Sequence, residues 1–186
     1  MFLLRHGQSL FNLHFTNSRR DPGIADPELT PLGHAQALQA AEDLADSPIT
    51  RIIISPYTRA LQTAEPFLTR PGLQVEILSL VRERAAFSCD IGSHPAALAA
   101  KFPQHDFAHL PACWWGEGEE SAENTISRAR AFHTHMQQQQ DAATTLLVSH
   151  WGFIMALTGR SLANGSWLTF NPASPAPDHI SWQHTS

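Results

Sequence analysis

The chain has 186 residues, of which 42% are hydrophobic and 16% charged, and its formal net charge is −5 at pH 7. This length is enough to bury a core without disulfides or metals, and we expect residues 1–186 to form a single domain. The composition is ordinary for a soluble globular protein. The net negative charge argues against nucleic acid as a partner, because proteins that bind nucleic acid usually present a basic face.

The sequence predicts a cytoplasmic protein. Cys89 and Cys113 are too few for a disulfide framework, which favours a reducing compartment. Arg5 and His6 follow only four residues, so no apolar segment of signal-peptide length precedes them. The longest apolar runs have the length of strands, and we therefore expect no membrane partner. The oligomeric state stays open.

Four short apolar runs predict strands. They are Phe2–Leu4, Ile52–Ile54, Val75–Leu78 and Leu146–Val148. The first, second and fourth are apolar at every position, which is typical of strands that are buried on both faces of a parallel sheet.

Helical patterns lie between and after these strands. Thr30 followed by Pro31 is typical of an N-cap and a first-turn proline, and it predicts a helix to about Leu44. Strands that alternate with helices predict an α/β protein, a three-layer α/β/α sandwich around a mostly parallel central sheet. The other predicted helices run from Thr58 or Arg59 to about Leu68, from His94 to Lys101, from Glu120 to about Gln139 and from Trp151 to about Leu162.

Three segments are expected to be irregular. Arg19–Leu29 and Ala85–Gly118 contain prolines and glycines, apart from the short helix predicted inside the second. Asn171–Pro177 is rich in proline and predicts a surface connector, followed by a short final strand or a tail.

Polar residues of one chemical kind follow each predicted strand. In open α/β sheets, ligands bind beyond the carboxyl ends of the strands. We therefore expect two arginines, two histidines and a glutamate to converge on one crevice. These residues are Arg5, His6, Arg59, Glu83 and His150.

Such a crevice is suited to phosphate chemistry. Arginine side chains offer planar, charged donors that match phosphoryl oxygens. Histidines close to arginines should have lowered pKa values, and a neutral imidazole is a nucleophile. A carboxylic acid such as Glu83 can protonate a leaving alkoxide, although Glu117, Glu119 and Glu120 are also candidates. The set needs no metal and no cofactor, because guanidinium groups offset the charge that Mg²⁺ handles in kinases.

These motifs resemble the signature of the histidine phosphatase superfamily, also called phosphoglycerate-mutase-like. The opening piece is Leu4–Ser9, with Asn12 three residues later. The pieces recur in the family's order over most of residues 1–163. They continue with Leu29–Gly33 and Gln36-Ala37, Ser55-Pro56 through Arg59-Ala60 to Thr63-Ala64, Glu83, and Ser149-His150.

The resemblance implies a role for each residue of the crevice. His6 is the residue that becomes phosphohistidine. Arg5, Arg59 and His150 form the rest of the phosphate pocket, and Asn12 is a further phosphate contact.

The resemblance also assigns the proton donor and a lid. Glu83 matches the donor of the branch that contains phosphoglycerate mutases and fructose-2,6-bisphosphatases. The acid-phosphatase branch has an aspartate directly after the second histidine, where this sequence has Trp151. The family uses the region at about 85–120 as a lid-like insertion over the substrate.

The function favoured by these residues is metal-independent hydrolysis of a small phosphorylated metabolite through a phosphohistidine intermediate. Cofactor-dependent phosphoglycerate mutase is the first alternative. It is disfavoured because Ala85–Asp90, after Glu83-Arg84, lacks the tyrosine and basic residues with which mutases bind their substrate. A catalytically inactive phosphate-binding domain is the second alternative, although neither nucleophile nor arginine is missing. Possible further substrate contacts are Trp114, Trp115, Arg19, Arg20 and Arg84.

Overall fold

The computed structural model describes residues 1–177 and 179–182, and within them five strands form one sheet. The order of the strands is β3-β2-β4-β1-β5. The first four strands in sequence run parallel to one another, and β5 pairs antiparallel with β1. The mostly parallel sheet is confirmed. The strands are β1 (Phe2–Arg5), β2 (Arg51–Ile54), β3 (Gln74–Ile77), β4 (Thr145–Ser149) and β5 (Trp167–Thr169).

The predicted helices are present, and two of them end earlier than predicted. The chain leaves the α-helical path at Glu65-Pro66 and continues as a 3₁₀ helix to Thr69. Gly159 caps the last helix in the left-handed conformation, with φ of 70°, so that helix stops before Leu162. None of the helices in the described residues is long and apolar enough to span a membrane. The helices are α1 (Leu10–Ser18), α2 (Pro31–Asp43), α3 (Thr58–Ala64), α4 (Pro95–Lys101), α5 (Ala122–Gln137) and α6 (Trp151–Thr158).

Helix α1 was not predicted from the sequence. Phe, Asn, His and Thr have modest helix propensity, so the segment has a weak helical signal of its own. A capping box starts the helix: the Ser9 hydroxyl accepts from the Asn12 backbone N–H, and the Asn12 side chain accepts from the Ser9 N–H. The buried side chain of Phe11 holds it against the rest of the protein.

The last strand of the described residues lies before the proline-rich segment. β5 is only three residues long and adds to the sheet beside β1, with Leu168 opposite Leu3. Residues 179–182, after the proline-rich segment, have no regular secondary structure. The rest of that stretch, 178 and 183–186, lies outside the described residues.

The two faces of the sheet bury alternate residues of each strand. Leu4 and Ile54 point toward the layer that contains α2, α3 and α4. Leu3, Ile53 and Leu147 point toward the layer that contains α5 and α6. Because both faces are covered, the central residues of β1, β2 and β4 are apolar on both sides, as the sequence indicated. The three-layer α/β/α sandwich is confirmed.

The segment 91–116 is anchored to the core by five buried side chains. Its apolar side chains join the cluster on the α2–α3 side of the sheet, beside Tyr57 and Ile77. The buried members of this segment are Leu98, Phe102, Phe107, Leu110 and Trp114.

Gly33 allows α2 to approach the loop that follows β1. A Cβ atom on this residue would lie 2.1 Å from the carbonyl oxygen of Gln8.

Replacing glycine by alanine in a helix normally stabilises a protein by about 1 kcal/mol. We expect Gly33→Ala instead to destabilise the protein and to lower the urea midpoint of unfolding. The backbone at residue 33 or at Gln8 would have to move to make room for the new Cβ atom. Ala35→Gly, at an exposed position of the same helix, calibrates the propensity effect. A Gly33→Ala protein more stable than wild type would contradict this packing.

Candidate active site

The parallel pairing of β1 with β4 places two histidines side by side. Arg5 lies opposite Ser149 in the register, and the His6 N–H donates to the Ser149 carbonyl oxygen at 3.0 Å. The residue that follows β4 is His150, whose ring centroid is 5.1 Å from that of His6. Both imidazoles are buried.

The His6 imidazole has a defined tautomer. Its Nδ1 atom is 2.7 Å from the carbonyl oxygen of Gly7, which can only accept a hydrogen bond. The proton is therefore on Nδ1, and Nε2 carries the lone pair. Burial lowers the pKa of His6 well below 6.5, and the positive charges of Arg59 and Arg5 lower it further. At neutral pH, His6 is a neutral imidazole with a nucleophilic Nε2.

His150 is neutral for the same reasons. Burial, followed by the charge of Arg59, lowers its pKa well below 6.5. Its Nε2 is 2.7 Å from the Ser55 hydroxyl oxygen, which can donate to it and leave the proton on Nδ1. This Nδ1 is buried and has no hydrogen-bond partner among the described residues.

Arg5 is anchored at one end of its guanidinium group. One terminal nitrogen donates to the Leu162 carbonyl oxygen at 2.7 Å, while the buried Nε has no partner among the described residues. Burial lowers the pKa of Arg5 to about 10; Glu83 opposes this shift and Arg59 adds to it. The side chain is still a cation at neutral pH.

Arg59 is a fully buried cation in a fixed orientation. Its guanidinium group pairs with Asp90 at 3.2 Å, donates to the Cys89 carbonyl oxygen at 2.7 Å and lies 4.3 Å from the centroid of the Tyr57 ring. Burial alone would lower the pKa of Arg59, but the acidic groups of Cys89 and Asp90 hold it above its ordinary value. The arginine therefore stays charged in a place with little water.

Glu83 lies against the first turn of α6. Its carboxylate oxygens accept from the backbone N–H groups of Arg84 at 2.8 Å and of Gly152 and Phe153 at 3.2 Å each. Burial raises the pKa of this carboxyl group, and the nearby Asp90 raises it further, despite those hydrogen bonds. The direction of the shift could not be settled from the sequence.

Gly152 makes room for this carboxylate. A Cβ atom there would lie 2.5 Å from Oε1 of Glu83. The residue two positions after His150 must therefore be glycine for the Glu83 carboxylate to reach the first turn of α6.

The other three candidate acids do not line the cavity that holds Glu83. Glu120 forms a 2.6 Å ion pair with Arg128, which lowers the pKa of Glu120 although burial opposes the shift. Arg128 also donates to the Glu83 carbonyl oxygen at 3.4 Å, so the pair supports the backbone at Glu83. Glu117 and Glu119 are exposed.

A cavity of about 430 Å³ opens at this edge of the sheet. His150 adjoins the cavity through its contact with His6. Within residues 1–177 and 179–182, no group of three or more His, Cys, Asp or Glu side chains could hold a metal ion. The predicted site residues that line the cavity are Arg5, His6, Asn12, Arg59 and Glu83.

Asn12 caps a helix and faces the cavity. Its Oδ1 accepts from the N–H and the hydroxyl of Ser9, at 3.0 and 2.9 Å. The same oxygen accepts from Asn164 at 3.2 Å. Asn12 therefore belongs to the capping box of α1 and also lines the cavity.

The possible further substrate contacts named from the sequence fall into two groups, those that line the cavity and those that do not. Arg19 and Arg84 line the cavity, whereas Arg20 is exposed and does not. Trp114 is buried in the core, where its indole N–H donates to the Ser93 carbonyl oxygen at 2.9 Å. Trp115 is also outside the cavity lining, so the tryptophan pair packs beneath the loop.

Four further residues shape the site without having been assigned a role from the sequence. Asn164 donates to the His6 carbonyl oxygen at 3.1 Å, from a turn whose only sequence signal is the following Gly165. Asp90, Ser55 and Gly152 act through contacts between segments far apart in sequence, which no local pattern indicates.

The geometry agrees with the comparisons to known proteins. Residues 1–176 match the histidine phosphatase superfamily (branch 1), and the chain belongs to this superfamily. A glucosyl-3-phosphoglycerate phosphatase of Mycolicibacterium vanbaalenii is 32% identical over 173 residues, which are 87% of this chain and 73% of that protein. A probable phosphatase of Schizosaccharomyces pombe is 29% identical over 113 residues, which are 58% of this chain and about half (51%) of that protein.

A solved structure shows the same fold. The mycobacterial glucosyl-3-phosphoglycerate phosphatase in complex with VO3 matches with a TM-score of 0.62 and 27% identity, covering 90% of this chain and 88% of that one. These relatives are phosphatases, and the class of enzyme they indicate is phosphoric monoester hydrolase.

The protonation of the two histidines can be measured directly. Because their pKa values lie well below 6.5, we expect both imidazoles to stay neutral between pH 8 and 6. Long-range ¹H–¹⁵N spectra of the imidazoles, assigned with His6→Gln and His150→Gln, should show His6 protonated on Nδ1 only. A titration midpoint at or above 6.5 for either residue would contradict the electrostatics described above.

Proposed function

We propose that this protein hydrolyses the phosphate monoester of a small metabolite through a phosphohistidine on His6. One observation carries the proposal: a neutral imidazole, with its Nε2 lone pair available, lies close enough to the charges of Arg59 and Arg5 for both to lower its pKa. Beside it, Arg5 Nε and His150 Nδ1 are buried polar atoms without a partner among the described residues, and phosphoryl oxygens could accept from both.

In the first step the phosphoryl group moves from the substrate to the enzyme. Arg5, Arg59 and His150 hold its oxygens, with Asn12 as a further contact, and offset the charge that spreads over them. His6 Nε2 forms a bond to phosphorus as the bond to the ester oxygen breaks. Glu83, as a carboxylic acid, gives its proton to the departing oxygen, and the alcohol leaves.

In the second step a water molecule attacks phosphorus from the side that the alcohol left. Glu83, now a carboxylate, accepts a proton from this water as the new oxygen–phosphorus bond forms. The bond from phosphorus to His6 Nε2 breaks, and inorganic phosphate and neutral His6 result. The raised pKa of Glu83 supports this double role, because it brings the two protonation states closer in free energy near neutral pH.

Hydrolysis is better supported than the two alternatives. A mutase must bind a second anionic group, and the lining residues of the segment directly after Arg84, which are Ala86, Phe87, Cys89 and Asp90, add no cation to Arg19 and Arg84. The relatives named above are phosphatases, which also favours hydrolysis. An inactive phosphate-binding domain has no need of a proton donor, yet Glu83 is held in the cavity by three backbone N–H groups.

We also propose that residues 1–186 form one domain that acts in the cytoplasm on a small phosphorylated substrate, with no nucleic acid, membrane or cofactor as a partner. The insertion at about 85–120 would act as its lid. Residues 86–90 of the insertion line the cavity, and the later part is anchored by buried side chains such as Phe107.

The covalent intermediate tests the proposed function. Enzyme quenched during turnover of p-nitrophenyl phosphate should carry phosphate that is labile in acid and stable in alkali, because a phosphoramidate bond links it to nitrogen. We expect His6→Ala to lose both this label and turnover, measured by mass spectrometry of the quenched peptide and by phosphate release. Near-normal turnover by His6→Ala would show that the mechanism is wrong.

The proton donor is tested by varying the leaving group. A phenolate such as p-nitrophenolate leaves without a proton, whereas an alkoxide needs one. We expect Glu83→Gln to slow alkyl phosphates by roughly 10²-fold or more relative to wild type, and p-nitrophenyl phosphate far less. Glu119→Gln, at an exposed position, is the control. If Glu83→Gln slows both substrates equally, Glu83 is not the acid.

A further inference from the structure

One part of the cavity is aromatic. Phe11 and Phe15 lie one turn apart on α1, with ring centroids 5.3 Å apart and ring planes within 14° of parallel. Phe87 approaches from the loop of residues 86–90, with its centroid 5.6 Å from Phe11 and 5.1 Å from Phe15. All three line the cavity that contains His6. We call these three residues the aromatic wall.

The aromatic wall is built and held in place. Asp90 accepts from the backbone N–H groups of Ala86 and Phe87, at 3.0 and 3.1 Å, and the same side chain pairs with Arg59. On the other side of Phe87, Asp21 accepts from the Ser88 N–H at 2.8 Å. The backbone on both sides of Phe87 is therefore fixed to the structure that also orients the buried arginine.

Phe87 is nevertheless 44% exposed. Single exposed apolar residues are common on proteins, but Phe15 and Phe87, backed by the buried Phe11, present a continuous apolar surface to a ligand. The rings provide no hydrogen-bonding group in their planes. The faces of these rings therefore favour apolar surface of a ligand over a hydroxyl group placed directly against them.

We propose that the aromatic wall is the binding site for the leaving group, and that the preferred substrates are phosphate monoesters whose alcohol carries an aromatic ring. The inference rests on the proposed function, because it takes His6 as the site of phosphoryl transfer. A planar ring would pack on Phe15 and Phe87 in the offset or edge-on arrangements that aromatic pairs favour. This preference would distinguish the chain from its glucosyl-3-phosphoglycerate phosphatase relative.

Matched alkyl phosphates separate ring binding from leaving-group chemistry. 2-Phenylethyl phosphate and n-propyl phosphate both release a primary alcohol, so their intrinsic reactivity is similar and the ring is the main difference. We expect kcat/KM to be at least about tenfold higher for the phenylethyl ester, with most of the difference in KM. 2-Cyclohexylethyl phosphate has similar bulk without an aromatic ring, and we expect it to be used less efficiently than the phenylethyl ester. Equal use of these two esters would overturn the aromatic assignment.

Variants of the aromatic wall test whether these residues cause the preference for the phenylethyl ester. We expect Phe15→Ala and Phe87→Ala each to lower the phenylethyl-to-propyl ratio of kcat/KM several-fold, a readout that a general loss of folding would not change. Leu13→Ala is the control, because Leu13 lies on the same helix and is 38% exposed, outside the cavity lining. Its ratio should equal that of wild type.

Different results would contradict the leaving-group assignment and the proposed function. If wild type forms phosphohistidine on His6 but the phenylethyl-to-propyl ratio is near one, or the phenylalanine variants keep the ratio of Leu13→Ala, the leaving-group assignment is wrong and the proposed function stands. If no ester is hydrolysed and no phosphohistidine forms, the proposed function is wrong and the assignment fails with it.

Discussion

The parallel register between β1 and β4 is the constraint on which the site depends. Because Arg5 lies opposite Ser149, the residues that follow them, His6 and His150, leave the sheet together and meet at its edge. A shift of the register by one residue would turn alternate side chains to the other face and separate the two rings. The apolar residues of both strands, buried in the two layers of helices, make such a shift costly.

Burial and fixed charge set the protonation states that the chemistry needs. Burial, together with the charges of Arg59 and Arg5, lowers the pKa values of the two histidines, while burial raises the pKa of Glu83. Asp90 links several of these effects: it neutralises Arg59, raises the pKa of Glu83 and fixes the loop that carries Phe87. The proposed phosphate-binding residue Arg59 and the loop that carries Phe87 therefore share one carboxylate as a partner.

The sequence was most informative where a local pattern is strong. The apolar strands, Thr30 with Pro31 at the start of α2, and the polar residues directly after strand ends were predicted correctly, because periodicity, capping and strand polarity are encoded within a few neighbouring residues. Helix α1 and β5 were missed, because α1 depends on a capping box and buried Phe11, and β5 is a three-residue strand held by its pairing with β1.

By itself the sequence determined the fold class and the family, since the order of strands and helices leaves few topologies. It also supplied the residues that we propose as the site. Only the tertiary structure decided the direction of the Glu83 pKa, the partner of Arg59 and the aromatic character of the cavity. Each of these depends on distances between groups far apart in the chain. Such distances follow from packing of the whole domain, and no local sequence pattern records them.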